Sequence, residues 1–198
     1  ILGIKMCGRF VLSNFTDVKD FHNVLIEPSY NIAPSHSILI FNQEMRPDFL
    51  EWGYSPIWAK KPMNLINAKY ESLDIKPSFK DYETCVFVAD GWFEWQKNSR
   101  GEKHPIFIHA DNEIFYFAGI KNASGAAIVT INAHSSLTNI HHRQPMFLDR
   151  LETSFWLKDK QKVSSSSLLE RIKSYPVSKY VNSPINNDQR CILEIDLE

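Results

Sequence analysis

Short apolar runs of four or five residues recur along the chain and are separated by turn-forming residues. Runs of this length, rich in β-branched and aromatic residues, predict strands, and their nearly continuous apolar character predicts burial. Between the runs 105–109 and 114–118, Asp111-Asn112 is typical of a tight turn because both residues tolerate positive φ. The strands on either side are therefore predicted to be antiparallel neighbours. The runs are 38–41, 49–52, 85–89, 105–109, 114–118 and 127–131.

Helical spacing is rarer. One candidate helix carries Val18, Phe21 and Leu25 after a possible N-cap at Ser13 or Thr16. A second carries Leu168, Leu169 and Ile172 after a serine run at 164–167 that is also compatible with a loop. The pattern predicts an α+β fold with a mainly antiparallel, barrel-like β-sheet core and a few peripheral helices, in a single domain spanning 1–198.

The charge balance limits how the chain can bind a polyanion. The 22 Lys and Arg residues face 23 Asp and Glu residues, so a nucleic-acid site must be a local patch. Cys7, Cys85 and Cys191 form no closely spaced pair, which argues against a zinc knuckle or a disulfide framework and favours an intracellular protein. No apolar run approaches the length of about 18 residues that a membrane-spanning helix needs.

Cys7 is the first candidate for chemistry. Beside Gly8 and Arg9, its thiol can be exposed and can have its pKa lowered by the guanidinium, but a free Cys is more often a small buried apolar residue. If Met6 is the initiator and is removed, Cys7 carries a free α-amine next to its thiol. Such an aminothiol condenses with an aldehyde to a thiazolidine. Residues 1–5 are then a leader, an added segment, or residues included because translation was assigned to a start codon upstream of Met6.

Glu94 is the second candidate because it lies among Trp92, Phe93 and Trp95, directly after an apolar run. Desolvation there raises the pKa of a carboxyl and suits it to general acid or base catalysis near neutral pH. Strand alternation offers another interpretation, in which Glu94 faces outward and the two tryptophans belong to the core.

His141 and His142 precede Arg143 in a predicted loop, where an imidazole can transfer protons. Metal ligation is the rival interpretation, but adjacent histidines seldom bind one ion, so no metal and no cofactor are predicted. Two polar segments, 31–34 and 67–71, can present amide groups to a ligand or can serve as ordinary turns.

The order of these motifs resembles the SOS response-associated peptidase (SRAP) family across nearly the whole chain. The matching segments are 6–10, 31–34, 51–53, 67–68 with Glu71, 89–95, 118–119, 140–143 with Pro145, and 181–182. The resemblance implies covalent capture of abasic sites in single-stranded DNA through a thiazolidine on Cys7, with self-removal of the residues before it. It also implies a monomer that needs no membrane, located in the cytoplasm at the nucleoid if the source is bacterial.

The resemblance further implies roles for individual residues. Asn67 is expected to hold the sugar by hydrogen bonds, while Glu94 and His141 move protons. DNA contacts are expected from the side chains of Arg9, Lys69, Arg143, Trp52 and Trp92.

Two positions depart from the family pattern, and two other functions remain open. Lys69 stands where the family usually has Arg, which loses a bidentate phosphate contact, and Gln144 replaces the commoner Met.

One alternative function is that of a general cysteine hydrolase, with Cys7 as nucleophile, His141 as base and Asn67 as orienting residue. The other is a non-catalytic module that binds single strands.

Overall fold

The computed structural model describes residues 7–14, 24, 26–111, 113–163 and 166–196. The predicted helix around Val18, Phe21 and Leu25 lies outside the described residues, as does Asn112 of the predicted turn. No helix in the described part of the chain is long and apolar enough to cross a membrane.

Strands dominate the described chain. They are β1 (Arg9–Leu12), β2 (Ser29–Ile32), β3 (Ser37–Phe41), β4 (Pro47–Glu51), β5 (Asn67–Lys69), β6 (Glu83–Ala89), β7 (Gly91–Lys97), β8 (Lys103–Ala110), β9 (Phe115–Asn122), β10 (Gly125–Asn132), β11 (Arg143–Pro145), β12 (Phe147–Leu148) and β13 (Ile172–Pro176). The helices are α1 (Thr153–Asp159) and α2 (Ser166–Arg171), and short 3-10 turns cover Tyr70–Ser72, Pro77–Phe79, Lys179–Asn182 and Gln189–Cys191.

These strands form two sheets. The first has the order β13-β8-β7-β1-β2, and its neighbours are all antiparallel. The second has the order β11-β10-β9-β6-β3-β4, with β12 paired to β9 and β5 running parallel to β10. The predicted α+β class with mainly antiparallel strands is confirmed. The sheets are not closed into a barrel, because strands such as β4 and β13 pair with one neighbour only along the described chain.

The core lies between the two sheets. Phe10 of β1 reaches across to Trp52, with ring centroids 5.2 Å apart, and to Phe87 and Phe117 at 6.2 and 6.1 Å. Side chains alternate along a strand, so Val11 faces the other side of the first sheet. There it joins Phe93 and Phe107 in a smaller apolar cluster. Cys7, just ahead of β1, is itself a fully buried member of the main core.

Two sequence predictions need correction. The strands flanking Asp111 are not neighbours, because β8 pairs with β7 and β13 while β9 pairs with β6 and β10. Both edges of each strand are thus occupied, and the turn carries the chain between sheets; Asp111 does adopt the expected positive φ, 48°. The helix at Leu168 and Leu169 is confirmed, but Ile172 begins β13 instead.

Candidate active site

Cys7 and Glu94 meet at the start of β1. Because β1 and β7 are antiparallel with Arg9 opposite Phe93, the chain before Arg9 runs alongside Glu94. The backbone nitrogen of Cys7 donates a hydrogen bond to Oε1 of Glu94 at 2.9 Å. Cys7 is fully buried and Glu94 is 3% exposed. The pair therefore sits in a water-poor environment.

Burial raises the pKa of Glu94 to about 8, and the hydrogen bond from Cys7 opposes that rise only in part. The carboxyl is consequently protonated at neutral pH and close to the point where it gives up its proton. The predicted desolvation of Glu94 is confirmed, and the interpretation of an outward-facing Glu94 is wrong.

Of the two interpretations of Cys7, the buried one is confirmed and the exposed one is wrong. Burial raises the pKa of Cys7, and the nearby Glu94 carboxyl acts in the same direction. Arg9 does not counter this, since its Nη1 donates to the carbonyl oxygen of Gly8 at 2.7 Å. The thiol is therefore neutral near pH 7, which disfavours chemistry that must begin with a thiolate.

Asn67 lies in the second sheet, at the first position of β5. It is half-buried and pairs with Ile128, while Lys69 at the other end of β5 is exposed and pairs with Thr130. The indole nitrogen of Trp52 donates to the carbonyl of Ile66 at 2.9 Å, which anchors the chain just before Asn67. A polar amide and an exposed cation are thus held on one short strand.

The loop that carries His141 is tied to the strand that carries Glu94. Gln96, which shares a face of β7 with Glu94, donates through Nε2 to the carbonyl of Asn139 at 2.9 Å. Burial lowers the pKa of His141, and the positive charges of Lys103 and Arg143 act in the same direction. A neutral imidazole is therefore available on the Glu94 side of the sheet.

Arg143 is engaged in an internal ion pair. Its guanidinium is buried and donates to both carboxylate oxygens of Glu71, at 2.6 and 3.0 Å. It also donates to Asn132 Oδ1 and to the carbonyl of Thr130, each at 2.7 Å. The guanidinium is thus already paired with protein acceptors, and its contact with phosphate stays a prediction.

Trp52 and Trp92 are equally unavailable to DNA. Both side chains are fully buried. The ring of Trp92 packs against Phe115, Phe117 and Phe147 with centroids 5.7 to 5.9 Å apart. Neither indole presents a free face to a base, and the alternative assignment of Trp92 to the core is correct.

Sequence reasoning missed an exposed aromatic residue in the loop between Tyr54 and Leu65. Trp58 is 59% exposed and its neighbour Ile57 is 75% exposed. Tyr54 and Leu65 are paired through their backbones, so the loop projects immediately ahead of β5 and Asn67. Lys60 and Lys61 follow on the same loop and are exposed. An indole between two prolines, outside any strand or helix pattern, was the available signal.

No group of three or more His, Cys, Asp or Glu side chains suited to a metal ion occurs within the described ranges. The strand of Glu94 is linked to the His141 loop through Gln96, and the segment after Asn67 is linked to Arg143 through Glu71.

Known proteins place these features in context. The chain is 33% identical to abasic site processing protein YoqW of Bacillus subtilis, over 94% of this chain and 99% of that protein. It is 29% identical to abasic site processing protein YedK of Escherichia coli, over 91% and 92% of the two chains. A crystal structure of a Bacteroides thetaiotaomicron protein matches the fold with a TM-score of 0.72, at 21% identity, over 96% of this chain and all of that one.

A model of one protein family matches residues 6–184, which is most of the chain. That family is described as SOS response associated peptidase, abbreviated SRAP. The match spans the Cys7 and Glu94 pair, the Asn67 strand and the His141 loop. The chain therefore belongs to the SRAP family.

Proposed function

We propose that this protein processes abasic sites in single-stranded DNA by forming a covalent bond to them through Cys7. The observation that carries the proposal is the 2.9 Å contact between the Cys7 nitrogen and the buried Glu94 carboxyl. The names of the relatives in Bacillus subtilis and Escherichia coli, abasic site processing proteins, support the choice of substrate.

The reaction begins with a free α-amine on Cys7. Glu94 is within reach of the nitrogen at which the preceding peptide bond would be cleaved, and its protonated form can supply a proton to that nitrogen as a leaving group. Water supplies the hydroxyl group to the departing peptide. In the proposal, Glu94 thus acts first as the general acid in the cleavage that removes the residues before Cys7.

The amine then attacks the C1′ aldehyde of the ring-opened abasic sugar. The resulting carbinolamine loses water to give an imine, and the Cys7 thiol adds across the C=N bond to close a thiazolidine. One water leaves in total and no oxidant is needed. Glu94, with a pKa of about 8, can protonate the departing hydroxyl and afterwards accept a proton. A neutral thiol suits this order, in which the nitrogen reacts first.

Asn67 and His141 serve the sugar. In the proposal, His141 exchanges a proton with the sugar hydroxyl during ring opening, which a neutral imidazole can do. The Asn67 amide hydrogen-bonds to the opened sugar. The link from Gln96 to the His141 loop supports a shared site.

DNA approaches over a small basic and aromatic surface, which we call the strand-binding surface and define as Arg9, Trp58, Lys60, Lys61 and Lys69. Arg9 is half-buried and the other four are exposed. Exposed indoles stack on bases regardless of sequence, and cations pair with phosphates. A local surface of this kind is required because the net charge of the chain is −1.

Intact-mass spectrometry tests the proposal. The protein is incubated with a single-stranded oligonucleotide that carries one abasic site, alongside Cys7→Ala and a sample whose α-amine is selectively acylated. We expect a mass beginning at Cys7 and a heat-stable adduct in the untreated protein only.

Two results would contradict this chemistry. A full-yield adduct in Cys7→Ala would exclude Cys7 as the attachment residue. An adduct that survives acylation of the amine but disappears when only the thiol is alkylated would favour a thiol-first cysteine hydrolase.

A further inference from the structure

Arg143 joins three separate segments of the candidate site. Its Nη1 donates to Glu71 and Asn132, and its Nη2 donates to Glu71 and to the carbonyl of Thr130, all within 2.6 to 3.0 Å. Glu71 lies in the 3-10 turn that directly follows β5, while Thr130 and Asn132 end β10. A single guanidinium thus fixes β5 against β10.

The same residue orients the imidazole. Nδ1 of His141 lies 3.1 Å from the backbone nitrogen of Arg143, which can donate to it, and 3.2 Å from the Arg143 carbonyl oxygen, which can accept from it, so the Arg143 backbone holds the ring in either tautomer. Arg143 also pairs with Asn132 in the β10–β11 ladder. The position of His141 therefore depends on where Arg143 is held.

The donors of the guanidinium are already committed. A guanidinium has five N–H groups, of which four point at protein oxygens here. The fifth, on Nε, is buried and makes no hydrogen bond to the described residues. The Arg143 side chain is 4% exposed, whereas that of Glu71 is 55% exposed. A phosphate would have to displace Glu71 to reach this cation.

We propose that Arg143 and Glu71 form a positioning pair that holds Asn67 and His141 in register for the covalent reaction, and that Arg143 is not a contact for DNA phosphate. This inference rests on the proposed function. If Arg143 contacted a phosphate, its loss would lower both the affinity for DNA and the rate of adduct formation. A positioning role affects the rate of adduct formation only.

The test uses Glu71→Gln and Arg143→Lys in the full chain, with Lys69→Ala for comparison. Non-covalent affinity is measured with an unmodified single strand at several salt concentrations. The rate of adduct formation at saturating abasic DNA is measured as a function of pH. Glu71→Gln keeps an acceptor for Arg143 at an exposed position, so it guards against a failure of Arg143→Lys to fold.

We expect both positioning variants to retain affinity within about two-fold and an unchanged salt slope, because no phosphate contact is lost. Their adduct rate should fall by about ten-fold or more, since small misplacements of reacting groups are costly. The pH optimum of that rate should also shift, which a general loss of stability would not cause. Lys69→Ala should instead lower the affinity and reduce the salt slope by about 0.7.

Weaker binding of the unmodified strand by Glu71→Gln or Arg143→Lys, with a reduced salt slope, would overturn the positioning role. Adduct rates and pH optima equal to those of the wild type would overturn it as well. Absence of an adduct in the wild-type protein would instead overturn the proposed function, and this inference with it.

Discussion

Glu94 shows how one buried group can serve chemistry at the expense of stability. Among the described residues the carboxyl accepts one hydrogen bond, from Cys7, and it is 3% exposed, so its protonated form is favoured. The folded state therefore binds more protons than the unfolded state between the ordinary pKa of 4.5 and the raised value of about 8. Stability contributed by this group is present below that window and is lost as the pH rises through it.

Glu94→Gln should flatten this dependence. As the pH is raised from 5 to 8.5, the wild type should lose up to roughly 4 kcal/mol of its free energy of unfolding through ionisation of Glu94. The variant should keep that free energy, because the amide cannot ionise. Urea unfolding at both pH values measures the change. Asp90 is also buried and has a raised pKa, so the comparison must be between variants at each pH.

Glu83→Gln is the control, since the Glu83 side chain is 65% exposed on β6, in the other sheet, where it pairs with Lys121. The free energy of unfolding of this variant should depend on pH in the same way as that of the wild type, within error. A Glu94→Gln profile parallel to that of the wild type would show that Glu94 has no raised pKa.

At the level of elements, the matched motif at 31–34 is a structural anchor. The Nδ2 atom of Asn31 in β2 donates to the carbonyls of Val181, Ser183 and Asn186, at 2.8 to 3.0 Å. These carbonyls belong to the segment that begins with the matched motif at 181–182. Two motifs far apart in sequence are thus one contact in space, and neither needs a ligand to explain it.

Asn31→Asp should destabilise the protein by on the order of 3 kcal/mol, because a buried carboxylate would then face carbonyl oxygens in place of an amide donor. The Tm and the rate of limited proteolysis within 181–196 measure the effect. Asn42→Asp is the control, as Oδ1 of Asn42 accepts from the backbones of Glu44 and Arg46 and a carboxylate can do the same. Equal Tm values for the two variants would contradict the anchoring role.

The elements also show that local sequence patterns predict strands but not the pairing between them. The apolar runs predicted most strands because alternation and turn residues are local signals. They assigned the strands on either side of Asp111 to one hairpin, whereas the chain crosses between sheets at that point. Partner choice depends on which strand edges are already occupied, and no local pattern records that.

For the molecule as a whole, near-zero net charge means that binding to DNA depends on a few side chains. The indole of Trp58 is exposed, while Trp52 and Trp92 are buried. Stacking is therefore expected from the loop ahead of Asn67 and not from the tryptophans of the core.

Trp58→Ala should weaken binding of an unmodified single strand by about 1–3 kcal/mol through loss of one stacked base. Fluorescence anisotropy at fixed salt measures the affinity. Ile57→Ala is the matched control, being 75% exposed on the same loop but without an aromatic face. A similar loss in both variants would point to loop conformation and not to stacking.

The sequence by itself determined the α+β class, most strand positions and, through the order of its motifs, the family, whereas it left the environment of Glu94 open. Each of these depends on local composition or on motif order along the chain. Only the tertiary structure decided that Cys7 is buried, that Arg143 is paired with Glu71, and that the indole of Trp58 is exposed. Burial and pairing of a side chain depend on residues distant in sequence, as when Cys7 meets Glu94 across 87 positions. Such contacts exist only once the sheets have assembled.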